Sequence, residues 1–127
     1  MRLLVDTHIF IALGRKTLDK AYPVQSAILS LSENIDVSVA SFWEIAIKVR
    51  LGKLEIGVAL TDLGRVASAN GVGVIPIEER HVTHLLQPEP TVRDPFDRLL
   101  LAVAQVDGMR LVTNDRVLAK HPVAARS

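Results

Sequence analysis

The chain has 127 residues and a mass of 13.9 kDa, is 49% hydrophobic and has a mean hydropathy of +0.29. One domain fits this length, and so apolar a composition excludes disorder as the main state, because burial offsets the entropy of ordering. Fifteen Lys and Arg against fourteen Asp and Glu leave a net charge of +1, balanced in both halves. Total charge therefore argues neither for nor against a nucleic-acid partner, and no run reaches the roughly 18 apolar residues of a membrane span.

The absence of cysteine excludes a disulfide framework, a Cys-based zinc site and a thiol nucleophile. It fits a reducing compartment, and the cytoplasm is the expected location. The opening Met1–Asp6 segment reads as a first strand, not as a signal peptide.

Leu3-Leu4-Val5 is a short apolar strand that stops at Asp6, and His8 to Leu13 reads as a short helix ended by Gly14. Arg15 to Lys20 is polar and reads as a loop. Pro23 opens a helix over Val24 to Leu31. Asp36 to Ala40 has the β-branched alternation of a strand. Ser41-Phe42-Trp43-Glu44 then fits a capping box that opens a helix ending at Gly52. Leu60 to Ala69 is an amphipathic helix closed by Asn70-Gly71, Val72 to Ile77 a strand, and Glu78 to Leu86 helical. After a proline-bearing loop, Asp94-Pro95-Phe96-Asp97 opens the longest helix, with Asp94 as cap, and Asp107-Gly108 closes it. Arg110 to Thr113 is the last strand, and Arg116 to Lys120 a last short helix.

Short apolar strands alternating with helices predict a three-layer α/β/α fold over residues 1–127. Its sheet is short, mainly parallel and covered by helices on both faces. Right-handed crossovers bring every strand's C-terminal end to one edge of such a sheet. Four acids fall at that edge: Asp6 after the first strand, Glu44 at the start of the helix after the second, Asp97 in the first turn of the longest helix, and Asp115 after the last strand. Each has an ordinary explanation as a helix cap or as a charge favoured by the helix dipole. Their common placement carries more weight, because gathered carboxylates repel one another and a hard divalent cation with oxygen ligands removes the conflict. Such a site activates water and neutralises charge on a phosphodiester.

Four segments carry a resemblance. They are Leu4-Val5-Asp6-Thr7-His8, Ser41 through Lys48, Asp94-Pro95-Phe96-Asp97-Arg98-Leu99-Leu100, and Leu111-Val112-Thr113-Asn114-Asp115. In this order, from Leu3 to about His121, the chain resembles the PIN domain, and within it the VapC-like toxins of type II toxin–antitoxin pairs. The resemblance implies a ribonuclease that hydrolyses RNA by metal-activated water. Asp6, Glu44 and Asp97 match the core acids, Asp115 the variable fourth, and Mg²⁺ or Mn²⁺ is the implied cofactor. Asp94 matches an acid of the Asp-Pro-Phe-Asp-Arg branch and is first a cap. Thr7 and Thr113 stand beside the acids, able to orient them, although local capping is the readier role for Thr113. The resemblance also implies a small antitoxin over the pocket and homodimers. The competing non-enzyme reading is a PIN-like module that has lost activity and only binds RNA or protein.

Lys48, Arg98 and Arg116 flank the acids and are the expected phosphate contacts. Phe42, Trp43 and Phe96 are expected in the core, and Tyr22 at the surface. His81, His84 and His121 are expected mostly at the surface, while His8 lies close enough to Asp6 to pack beneath it or bond an acid. A haloacid-dehalogenase-like phosphatase would need an acid where His8 stands. A receiver-like domain would need an acidic neighbour for Asp6 and a Lys close to the last strand.

Overall fold

The computed structural model describes residues 1–126. Strands β1 (Arg2–Val5), β2 (Asn34–Ser38), β3 (Gly73–Ile75) and β4 (Arg110–Val112) form one sheet in the order β3-β2-β1-β4. All three pairings are parallel. Helices α1 (Thr7–Gly14), α2 (Leu18–Ala21), α3 (Pro23–Ser30), α4 (Val39–Arg50), α5 (Leu63–Ala69), α6 (Glu79–Val82) and α7 (Pro95–Asp107) lie between and after the strands. This is the expected three-layer α/β/α arrangement.

Alternation along each strand divides the core. Leu3, Val5, Val37 and Val112 face one side, where they pack with Ile9 and Phe10 of α1, Ile28 and Leu29 of α3, Ile45 of α4 and Leu63 of α5. Leu4 and Leu111 face the other, against Leu100, Leu101, Val103 and Ala104 of α7. Strands this short can have every inward residue fully buried because both faces are covered.

Several boundaries differ from the sequence reading. The polar stretch after Gly14 contains the short helix α2, held by Leu18, which is buried in the core. β2 ends two residues early, at Ser38, and the Ser38 hydroxyl accepts from the Ala40 N–H to cap α4 (3.0 Å). Ser41 is therefore inside the helix, and the expected capping box with Glu44 does not form. α6 stops at Val82, and the last helix is a single 3-10 turn over Leu118–Lys120. The start of α7 is as expected: Asp94 accepts from the Asp97 N–H (3.1 Å), Pro95 is the first helical residue, and Gly108 ends the helix at φ 67°.

The side chains expected outside and inside are partly exchanged. His81 and His121 are buried, whereas Trp43 is 62% exposed. Tyr22 is half-buried against the core. His81 Nδ1 accepts from the Glu78 N–H (2.9 Å), and its Nε2 lies 3.1 Å from both oxygens of Asp107. The ring proton thus belongs on Nε2, where it is donated to a carboxylate that also meets Arg80 Nη1 at 2.6 Å. The clamp ties α6 to the end of α7. No helix among the described residues is long and apolar enough to cross a membrane.

Candidate active site

The strand order reverses between β1 and β4, the place where open parallel sheets form a crevice beyond their C-terminal ends. Asp6 leaves β1 there, and Thr113 and Asp115 leave β4. A cavity of 170 Å³ opens at this point, lined by Asp6, Thr7, His8, Glu44, Lys48, Asp94, Asp97, Asp115 and Leu118. All four acids picked out at the sheet edge reach it, together with Asp94.

Each acid is placed by a local bond. Asp6 caps α1, its Oδ1 accepting from the Ile9 N–H (2.9 Å), and its Oδ2 accepts from the Thr113 hydroxyl. The Thr113 oxygen also accepts from the Asp115 N–H (3.0 Å). One side chain therefore combines the expected local capping with a cross-strand bond to Asp6. Asp115 Oδ1 accepts from the N–H groups of Val117 (2.8 Å) and Leu118 (3.0 Å), closing the turn that follows.

Glu44 is held on both sides. Its Oε1 lies 2.6 Å from the Thr7 hydroxyl, which lies 2.9 Å from the Ser41 hydroxyl. Thr7 has a single proton and the carboxylate can only accept, so Thr7 donates to Glu44 and Ser41 donates to Thr7. Oε2 is bonded by Lys48 Nζ at 2.8 Å, one helical turn further along α4. Glu44 thus reaches the cavity from the second turn of α4, not from a first-turn cap.

The electrostatics follow from the crowding. Burial raises the Asp6 carboxyl above its usual range, against the opposing pull of the Thr113 and Ile9 donors and the charge of His8. Burial also raises Asp97, and the charges of Asp94, Glu44, Asp115 and Asp6 add to it, pushing it up to about 6. Five carboxylates of this chain thus surround one small space that contains one lysine. Among the described residues no three of them already converge at metal-holding distance. The residues do fit a hard divalent cation. The donors are all oxygens, Asp97 is destabilised as an anion by its neighbours, and Asp6 and Glu44 are pre-oriented by hydroxyl donors behind them.

The expected phosphate contacts divide. Lys48 lines the cavity. Arg116 is exposed next to Asp115. Arg98 is committed elsewhere: it donates to the Val92 carbonyl (3.0 Å), pairs with Glu89 (2.5 Å) and lines a neighbouring cavity with His81 and His84. Its place one residue after Asp97 does not bring it to the acids, because successive helical residues point about 100° apart.

A parallel sheet with oxygen-only acids at its switch point is the class of α/β protein that fold and site define. The family model described as the PIN domain matches residues 3–123, and the chain belongs to the PIN domain family. PIN domains are generally nucleases, so the family places the activity of this fold in phosphodiester cleavage. None of the curated proteins compared with the chain matches it.

Proposed function

We propose that this protein is a metal-dependent ribonuclease that hydrolyses RNA by metal-activated water, and the toxin of a toxin–antitoxin pair acting in the cytoplasm. The observation that carries the hydrolase reading is the crowding of Asp6, Glu44, Asp94, Asp97 and Asp115 around one cavity, with Asp97 pushed up to about 6. Asp6, Glu44, Asp97 and Asp115 would hold Mg²⁺ or Mn²⁺. When bound, such an ion lowers the pKa of water and offsets charge on the scissile phosphate.

The chain's own residues do the positioning. Thr113 fixes Asp6 against Asp115, and Thr7 fixes Glu44. Lys48 pairs with Glu44 in the cavity wall, and Lys48 and the exposed Arg116 beside Asp115 would be the cations that meet RNA phosphates. The toxin assignment rests on resemblance to VapC-like chains. It carries with it a cognate antitoxin covering the cavity, and a homodimer.

The purified protein is expected to cut mixed RNA with Mg²⁺ or Mn²⁺ and to stop when EDTA is added. Asp6→Asn and Asp97→Asn should each abolish cutting while circular dichroism stays unchanged. Folded variants that cut as well as the parent would remove these acids from the reaction. Absence of cutting by the parent, with RNA still bound, would favour a binding module. Growth arrest on expression, relieved by a co-encoded small protein, checks the toxin role.

A further inference from the structure

Ser41 is a buried hydroxyl that neither caps a helix nor lines the acid cavity. It lies in α4, three residues before Glu44, and 1% of it is exposed. A serine inside a helix ordinarily gives its proton to a carbonyl three or four residues back. Ser41 does not. Among the described residues its one side-chain hydrogen bond is to the Thr7 hydroxyl, at 2.9 Å. Thr7 is the first residue of α1, also buried, and its oxygen lies 2.6 Å from Glu44 Oε1. Three buried polar side chains from two helices thus stand in single file, Ser41 to Thr7 to Glu44.

We propose that Ser41 is a positioning residue for Glu44, acting through Thr7 to hold the carboxylate ready for a divalent cation. The inference rests on the metal-dependent reading and deepens it. Proton order along the file leaves one arrangement. The carboxylate only accepts, so the Thr7 proton goes to Glu44, and the Thr7 oxygen takes the Ser41 proton. Each bond polarises the next, so the Ser41 donor strengthens the bond from Thr7 to Glu44. On its other side Glu44 meets the Lys48 ammonium, 2.8 Å from Oε2, on a side chain that is 37% exposed against 9% for Glu44. A long side chain open to water holds one geometry loosely. The buried file therefore sets the orientation of Glu44, and a bond from behind a metal ligand is what fixes its direction and basicity.

The test is a double-mutant cycle on the full chain, read by Mn²⁺ affinity in isothermal titration calorimetry without RNA, with thermal unfolding as the control. Removing a group that bonds a metal ligand directly costs about 10- to 100-fold in metal affinity, and Thr7→Val should fall in that range. Ser41 stands one bond further out, and Ser41→Ala should cost about 3- to 10-fold. The double variant should bind Mn²⁺ no more weakly than Thr7→Val, because Ser41 has no route to Glu44 once the Thr7 hydroxyl is gone. Ser41→Cys, a weaker donor of similar size, should lie between the parent and Ser41→Ala, and it takes the place of Ser41→Ala in the cycle if that variant does not fold. In the cutting assay Ser41→Ala should raise the Mn²⁺ concentration needed for half-maximal rate and leave the KM for RNA nearly unchanged.

Unchanged Mn²⁺ affinity in the folded Ser41 variant would overturn the positioning role. So would losses that add in the double variant, because Ser41 would then act on packing and not through Thr7. Either result, beside a parent that binds Mn²⁺ and cuts RNA with it, leaves the ribonuclease standing. A parent that binds no Mn²⁺ sinks both.

Discussion

The Thr113 hydroxyl donates to Asp6 and accepts from the Asp115 N–H, so one small side chain ties the ends of β1 and β4. A hydrogen bond to a buried charge contributes about 1.5–3 kcal/mol. Thr113→Val keeps the shape and removes the donor. It should slow RNA cutting by about tenfold or more while the protein stays folded, and a steady-state assay with thermal unfolding as control checks it. Asp97 offers a second test at this scale. Its carboxyl is raised from 3.8 to about 6, so the folded protein holds this proton more tightly than the unfolded chain. The penalty of ionising Asp97 is present in full above pH 6 and is relieved as pH falls toward 4. The group is half-buried, and after allowance for solvent screening the effect is about 1 kcal/mol, or about 3–5 °C in Tm. Metal-free Asp97→Asn should therefore melt higher than the parent at pH 7.5 and no higher at pH 4, as followed by calorimetry.

At the scale of elements, Asp94 belongs both to a helix and to the cavity. It caps α7 through the Asp97 N–H, and its charge is the largest of those that raise Asp97. Asn caps helices as well as Asp does, whereas Ala costs about 1 kcal/mol. Asp94→Ala should lower Tm by a few degrees. Asp94→Asn should leave Tm nearly unchanged and lower the Asp97 pKa, as read by NMR titration. α4 shows why such roles are hard to place from local pattern. Ser41 and Glu44 have the spacing of a capping box, but Ser38 begins the helix two residues into what looked like strand. Val39 and Ala40 suit either state, and packing of Ala40 against the α7 side of the core settles the choice. Trp43, expected in the core, is exposed for the same reason. Its face of the helix depends on where α4 lies on the sheet, and composition alone suggests burial.

At the scale of the whole molecule, the cavity joins parts of the chain that are far apart in sequence, so a bound ion would link the folding of β1, α4, α7 and the end of β4. A ligand that binds only the folded state adds about 2.7 kcal/mol at a hundredfold excess over its Kd. Mg²⁺ or Mn²⁺ should raise Tm by several degrees in the parent and not in Asp6→Asn, as measured by thermal shift with and without EDTA. The His81–Asp107–Arg80 clamp is the corresponding test remote from the cavity. His81→Ala leaves the buried side of Asp107 without its donor and should cost about 2–3 kcal/mol in denaturant unfolding. RNA cutting at low temperature should be retained.

The order of the four strands, the two covered faces and the gathering of four acids at one sheet edge were legible in the chain's own pattern. Apolar runs such as Leu3-Leu4-Val5 have no alternative to burial, and Asp94-Pro95 can hardly do other than start a helix. The tertiary structure decided what distance in sequence hides. It made Arg98 a loop anchor rather than a phosphate contact, buried His81 on Asp107, left Trp43 open on Phe96, and set Thr113 across to Asp6. Local propensity acts over a few residues, whereas each of these outcomes depends on which surface α4, α7 or β4 meets when the sheet closes. The charge balance of +1 illustrates the same division: the sequence determines the sum, and only the fold gathers five of its fourteen acids around one cavity.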